Sequence, residues 1–384
     1  MSNTDSRKNH IYFAVCPSGA EAALGSELKR GRFGRSEAQV GGASFAGPAW
    51  EGWRATLTLR SAVRVYRELG RFKAGDEESL YRGAFALPWE ELLTPATTFA
   101  VDTRVNNPAF RHSGFAALKI KDAIVDRMRE RVGSRPSVDT TNPDYRLFAH
   151  IGTGRTVVSV DLGGRPLSKR GYRINAVEAP VSECLAAAAV EYSGWDEKAP
   201  FLDPMCGSGT IPIEAAMRAM NIAPGLVNPQ YSFFGMPDFE KDRWEEMLAQ
   251  AKAEVRPSGK LIIRGSDKDP AAIEAAMKNA RLAGVGECVR FEVSDIEDFS
   301  PKPGWGAWVL SNPPYGKRLE ADREISDFFR RLGQIFISRC KGYKINLFLP
   351  DSKAAKEMML KPDRYRPLFH GGLEARLYTF TIKG

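Results

Sequence analysis

The chain has 384 residues, 43% hydrophobic and 27% charged, the balance of a folded globular protein rather than a disordered or fibrous one. That length exceeds one small domain and suits two or three, each burying its own core. The formal net charge of +8 favours a polyanionic partner, and no apolar run reaches the roughly 20 residues of a membrane-spanning helix.

From the N-terminus, the polar stretch Met1 to His10 lacks the apolar core of a secretory leader. Ile11 to Cys16 reads as a short apolar strand, followed by Pro17-Ser18-Gly19 and a helical run from Ala20 to Lys29. Gly41 to Phe45 and Ala55 to Leu59 read as further strands. Ser61 to Leu69 interleaves Arg64 and Arg67 with Ala62, Val63, Val65 and Tyr66; these arginines either solvate a helix face or contact a polyanion. Thr98 to Thr103 is strand-like. His112 to Arg131 is the clearest helix, because Phe115, Leu118, Ile120, Ile124 and Met128 recur near helical spacing while Lys119, Lys121, Arg127 and Arg129 mostly face elsewhere. Tyr145 to Ile151 and Thr156 to Leu162 form a hairpin across Gly152-Thr153-Gly154. Mixed α+β structure follows for this part. Gly163 to Val177, rich in glycine and basic residues, reads as a linker or hinge.

An Ala-rich helix, Val181 to Tyr192, then opens a regular strand–helix alternation. The strands are placed at Phe201–Asp203, Leu261–Asp267, Val289–Val293, Ala307–Ser311, Ile345–Leu349 and Arg376–Ile382. Apolar strands alternating with helices predict an α/β domain with a parallel, doubly wound sheet. Asn221 to Lys260 reads as an insertion of loop plus one helix. The five cysteines are scattered, with no Cys-x-x-Cys pair, and the four histidines lie at no ligand spacing. A disulfide framework and a metal site are therefore not expected, and a reducing cytoplasm is the natural compartment.

Four motifs carry chemistry. The first is Asp203-Pro204-Met205-Cys206-Gly207-Ser208-Gly209-Thr210, between a strand and a helix with Pro212 in its first turn. Gly207 and Gly209 let the backbone pass close to a ligand, no third glycine or Lys-Ser/Thr follows for a dinucleotide or P-loop site, and Asp203 suits an amino-acid ammonium better than a phosphate. Second, Asp267 in Gly265-Ser266-Asp267-Lys268-Asp269-Pro270 stands at a strand tip where a carboxylate can accept both ribose hydroxyls, whereas Asp269 can simply cap the next helix. Third, Asp295 after the next strand either accepts from an adenine amino group or caps a turn. Fourth, Asn312-Pro313-Pro314-Tyr315 directly follows an apolar strand. An exocyclic base amine has its lone pair conjugated with the ring. Acceptors that take both amino hydrogens, such as the Asn312 side-chain oxygen and the Pro313 carbonyl, favour a tetrahedral nitrogen with that lone pair available. Pro314 stiffens the turn and Tyr315 can stack on an extruded base.

With these residues in view, the chain resembles the THUMP-domain class I methyltransferases, and within them the bacterial 23S ribosomal RNA guanine-N2 methyltransferase family. The resemblance rests on Ala14-Val15-Cys16-Pro17-Ser18-Gly19-Ala20-Glu21, Leu59 to Val65, Lys169-Arg170-Gly171-Tyr172-Arg173, Glu178-Ala179-Pro180 and the two motifs Leu202 to Thr210 and Asn312 to Gly316. It implies a ferredoxin-like subdomain plus a THUMP RNA-binding domain over residues 10–165, a linker over 166–180, and a Rossmann-like methyltransferase domain over 181–384. It implies S-adenosylmethionine as cofactor, held by Asp203, Pro204, Cys206, Gly207, Ser208, Gly209, Thr210, Asp267, Lys268, Asp295 and Asn312, with Asn312, Pro313, Pro314 and Tyr315 catalytic. The expected partner is 23S ribosomal RNA, with no metal and no membrane, and the protein is expected to act as a cytoplasmic monomer carrying a single activity, without the second methyltransferase domain of some relatives. Lys317 and His370-Gly371-Gly372 depart from the family pattern near the expected base site, so transfer RNA as substrate and adenine N6 as target stay open, as does a non-catalytic assembly role. RNA contacts are sought among Arg60, Arg64, Lys119, Lys121, Lys169, Arg170 and Arg173.

Overall fold

A computed structural model describes residues 8–110, 112–173, 181–314, 322–370 and 373–383. Tyr315, Lys317, Gly371-Gly372 and Glu178-Ala179-Pro180 lie outside the described residues.

The N-terminal strands are β1 (His10–Val15), β2 (Glu37–Gln39), β3 (Gly42–Gly47), β4 (Arg64–Phe72), β5 (Thr98–Val105), β6 (Ser137–Val138), β7 (Tyr145–Gly152) and β8 (Arg155–Asp161). They form one eight-stranded sheet in the order β2-β3-β1-β4-β8-β7-β5-β6. β4 joins its two halves, pairing antiparallel with β1 on one side and β8 on the other. Four helices accompany this sheet: α1 (Glu21–Arg30), α2 (Ala49–Thr58), α3 (Glu77–Phe85) and α4 (Ser113–Val132).

Two expectations fail here. The stretch Ala55 to Leu59 is not a strand but the end of α2, in which Ala49, Trp53 and Thr56 recur on the buried face. Thr56 and Thr58 are β-branched, yet their hydroxyls donate back to the carbonyls of Trp53 (2.7 Å) and Arg54 (2.8 Å), which lets a helix accommodate them. Arg64 and Arg67 lie on strand β4 rather than a helix face, and both are used inside the protein: Arg64 pairs with Asp161, and Arg67 with Asp238 at 2.6 Å.

The second half carries helices α5 (Glu183–Ser193), α6 (Thr210–Ala219), α7 (Lys241–Ala253), α8 (Pro270–Leu282), α9 (Asp322–Arg339) and α10 (Ser352–Glu357). Its strands are β9 (Phe201–Asp203), β10 (Ile263–Asp267), β11 (Val289–Val293), β12 (Trp308–Ser311), β13 (Lys344–Leu349), β14 (Arg364–His370) and β15 (Leu373–Thr381), in the order β11-β10-β9-β12-β13-β15-β14. The strands from β11 to β13 are parallel, as the alternation predicts. The sheet as a whole is mixed, because β15 runs antiparallel to β13 and forms a hairpin with β14. β14 went unread in the sequence because Arg364, Arg366 and Pro367 break its apolar pattern, as is common in edge strands. The strand order reverses between β9 and β12, the place where doubly wound sheets open a ligand crevice at the carboxyl ends of their strands.

The two halves share a core. Tyr231, Phe233, Phe239 and Trp244, from the insertion before and within α7, pack against Trp53 of α2, whose ring stacks on Phe233 at 5.8 Å. Gly163 to Arg173 is packed rather than a free hinge. Arg170 is 4% exposed and its Nε lies 3.0 Å from the Glu214 carboxylate, which also accepts from the Tyr172 hydroxyl. Arg170 is therefore excluded as an RNA contact, since desolvating both charges requires that they face each other. Arg173 is likewise turned inward, toward Val181, Thr210 and Glu183. Among the described residues no helix is long and apolar enough to cross a membrane.

Candidate active site

Parallel pairing puts the tips of β9, β10, β11 and β12 at one end of the sheet, and hydrogen bonds join the loops that follow them. The turn after β9 bends sharply: Gly207 and Gly209 have φ of 52° and 81°, and the Gly209 N–H donates to the Cys206 carbonyl. A side chain at Gly209 would meet Phe291 and Ala276 at 2.9 Å, so glycine is required for packing as well as for backbone angle. Pro204 and Cys206 are buried in this turn; the Cys206 Sγ faces the Gly207 carbonyl, and burial pushes its thiol well up, a packing rather than a nucleophilic role.

Asp267, at the tip of β10, holds this turn. Its Oδ2 accepts from the Gly207 N–H at 2.9 Å and its Oδ1 from the Asp269 N–H at 3.1 Å. Lys268 beside it is exposed. Asp269 takes the bland role open to it, capping α8 through the Ala271 N–H. Asp295 also caps, accepting from the Glu297 N–H at 3.0 Å. Ser294 N–H donates to the Asp267 carbonyl, which sets the β11 loop beside the β10 tip.

The decisive link crosses from β9 to β12. Asp203 is 1% exposed, and its Oδ1 accepts from the Ser311 hydroxyl at 2.5 Å and from the Met205 N–H at 3.2 Å. Ser311 directly precedes Asn312, so the glycine turn and the Asn-Pro-Pro segment are tied through one carboxylate. Burial pushes the Asp203 carboxyl up to about 7, with the nearby Asp267 adding to the rise and the two hydrogen bonds opposing it. Three buried polar atoms at these tips have no partner among the described residues: Asp203 Oδ2, Ser208 Oγ and Asn312 Oδ1. Most buried polar atoms are paired, by protein, water or ligand, so three unpaired ones gathered at the same strand tips call for an explanation. Pro313 is buried and Pro314 half-buried beside Asn312.

Two further residues matter here. Asn279 on α8 is 1% exposed and its Nδ2 donates to the Ser208 carbonyl at 3.0 Å, supporting the glycine turn from behind. Its signal was present in the sequence: it falls on the face marked by Ala272, Ile273, Ala276 and Ala280, where an apolar residue is the norm. Arg173, read in the sequence as an RNA contact, donates to the Thr210 hydroxyl at 2.8 Å.

Residues 170–378, more than half of the chain, match the family described as the RMKL-like methyltransferase domain. The chain belongs to that family. Residues 74–161 match the THUMP domain and 12–66 the RlmL ferredoxin-like domain. The chain is 39% identical to the ribosomal RNA large subunit methyltransferase K/L of Syntrophotalea carbinolica, over 97% of this chain and 53% of that protein. It is 33% identical to a provisionally named RNA methyltransferase of Synechocystis sp., over 97% of this chain and 96% of that one. The chain thus spans about half the length of the K/L relatives and nearly all of the cyanobacterial one. Among solved structures, a provisionally assigned methyltransferase complexed with S-adenosylhomocysteine superposes with a TM-score of 0.89 at 30% identity, covering 98% of this chain and 99% of that one. The resemblance in family and the α/β fold with an N-terminal ferredoxin-like and THUMP module therefore hold.

Proposed function

We propose that the protein transfers the methyl group of S-adenosylmethionine to the N2 amine of a guanine in 23S ribosomal RNA, acting as a monomer in the cytoplasm. The observation that carries this reading is the buried Asn312 Oδ1, without a partner among the described residues and one residue from the Ser311–Asp203 bond. An acceptor held there with nothing to accept fits a donor brought by the substrate, and a base amine is such a donor. The cofactor fits the neighbouring residues on the same ground. Asp203 Oδ2 and Ser208 Oγ are buried polar atoms with no partner among the described residues, and Gly207 and Gly209 admit close approach. Asp203 would take the ammonium of the amino-acid end, Asp267 the ribose hydroxyls through its remaining lone pairs, and Asp295 the adenine amine. Pro204, Cys206 and Thr210 shape the turn, and Lys268 flanks it.

When bound, the cofactor supplies a methyl group on a sulfonium, an electrophile that needs no strong base to assist its transfer. The work left to this chain is positioning. Asn312 Oδ1 and the Pro313 carbonyl would accept the two amino hydrogens, Pro314 would hold the turn, and Tyr315 would stack on the base as the family resemblance implies. RNA would be gathered by the THUMP face, where Lys119, Lys121, Arg129 and Arg135 line a cleft of about 320 Å³ together with Tyr81 and the exposed Val138; Asp122 and Asp126 in the same cleft pair with Lys121 and Arg129, which leaves Lys119 and Arg135 as its cations without an ion pair among the described residues.

The test is single-turnover methylation of ribosomal RNA and transfer RNA lacking modification, with the product nucleoside identified by mass. N2-methylguanosine in 23S RNA is expected. N6-methyladenosine or a transfer RNA product would overturn the choice of target, and absence of methyl transfer to any RNA would overturn the enzymatic reading.

A further inference from the structure

If the crevice receives an amino-acid-bearing nucleoside as proposed, both charges on the amino-acid carbon need partners. Asp203 answers the ammonium only. The carboxylate is attached to the same carbon, so its donors must lie within a side chain's reach of Asp203, beside the glycine turn.

Two helices begin there. α5 starts after Ser182 and α6 after Gly209, and the two helices pack against each other. The opening N–H groups of a helix have no carbonyl one turn earlier to bond, so each start carries partial positive charge. Arg173 bridges the two starts: its Nη2 donates to the Val181 carbonyl at 2.9 Å and to the Thr210 hydroxyl at 2.8 Å. Thr210 is the first residue of α6. The Arg173 Nε is buried with no hydrogen-bond partner among the described residues, the nearest carboxylate oxygen being Glu183 Oε1 at 3.6 Å. Ser208, directly before the N-cap Gly209, is 2% exposed and its Oγ has no partner among the described residues.

A purely structural account leaves these facts unexplained. A guanidinium has five N–H donors, and the bonds above engage Nη2 alone. The acid beside it, Glu183, is pushed up by burial, with Arg173 opposing the rise. Glu183 answers one side of Arg173 and Ser182 caps α5, but the start of α6 has no side-chain cap and the Ser208 hydroxyl beside it has no partner among the described residues. A carboxylate fits this need.

We propose that Arg173, with Ser208 Oγ and the start of α6, anchors the carboxylate at the amino-acid end of the cofactor. Arg173 is thus a ligand contact that lies before the catalytic strands, where the glycine turn and the strand tips would not have placed one. The inference rests on the proposed methyltransferase reading.

The test is calorimetry on the full chain with S-adenosylhomocysteine and with 5′-deoxy-5′-methylthioadenosine, which has the same nucleoside but no amino-acid end. Arg173→Met should weaken the first ligand by about tenfold or more, the usual effect of removing a hydrogen bond to a charged group, and leave the second unchanged. Arg173→Lys should recover part of the loss. The unaltered protein offers a check that no folding defect can cloud: it should bind the carboxamide of S-adenosylhomocysteine at least about tenfold more weakly than the acid. Parallel weakening of both ligands in Arg173→Met, or equal affinity for amide and acid, would overturn the anchor while leaving the methyltransferase reading in place. Failure of the unaltered protein to bind S-adenosylhomocysteine at all would overturn both.

Discussion

Replacing Asp203 with asparagine should make the protein more stable and its cofactor site worse. The carboxyl is fully buried, with a value of about 7 against 3.8 for an ordinary aspartate. At about 1.36 kcal/mol per pH unit, holding it ionised in the folded, cofactor-free protein costs up to about 4 kcal/mol. The folded state binds this proton more tightly than the unfolded chain does, so stability falls as pH rises from about 4 to about 7 and is then flat, as far as this group is concerned. The substituted amide would keep the acceptor for Ser311 and Met205, place a nitrogen where Oδ2 now lacks a partner, and remove the slope. Urea denaturation of Asp203→Asn and the parent at pH 4 and pH 8 should show similar stabilities at pH 4 and a more stable variant at pH 8. Ligand binding should run the other way. An ammonium beside Oδ2 favours the ionised carboxylate, so the parent should take up S-adenosylhomocysteine more tightly as pH rises from 6 toward 7, by up to about tenfold per pH unit, and the variant should bind weakly with no such slope. A parent affinity that is level from pH 6 to 8, or a variant that binds as well as the parent, would refute the pairing of Asp203 with the amino-acid ammonium.

Asn312→Ala should leave S-adenosylhomocysteine affinity nearly intact in calorimetry while single-turnover methyl transfer falls by about a hundredfold or more, as when one preorganised polar group is lost from an active site; an undiminished rate would remove Asn312 from the mechanism. Lys119→Glu with Lys121→Glu should lower RNA affinity and reduce the salt dependence of binding, whose log–log slope is about −0.7 per phosphate contact on single strands, with cofactor affinity unchanged in the same preparation. Arg170→Met should act on folding rather than on RNA, destabilising the protein by about 3–5 kcal/mol in urea titration because Glu214 is left buried and unpaired.

The readable parts of this sequence were those where one local rule decides the outcome. Strand–turn–helix signals located β9, β10, β11 and β12, and parallel pairing then brings the residues that follow these strands to one end of the sheet. The misread parts depend on partners distant in the chain. Thr56 and Thr58 look like strand residues until their hydroxyls find the carbonyls of the preceding turn. Arg64, Arg67 and Arg170 look like an RNA-binding stripe, yet their partners, Asp161, Asp238 and Glu214, stand 97, 171 and 44 residues away. A basic segment in sequence is equally a solvated face, a polyanion site or one side of several interior ion pairs, and only the location of the acids distinguishes them. Here the acids lie mostly in the catalytic half. The arginines at the junction consequently tie the N-terminal half to α6 and the glycine turn, and the basic residues left at the surface sit farther out, on α4 and around β6. This division has a mechanical consequence. With Trp53 stacked into the Tyr231–Phe233–Trp244 cluster and Arg170 locked on Glu214, the THUMP face and the Asn312 tip are held on one shared core. In the proposed reaction, an RNA gripped on that face would present only those bases that lie at a fixed offset from the grip, so target choice would be set by the geometry between the two sites as much as by contacts to the base itself.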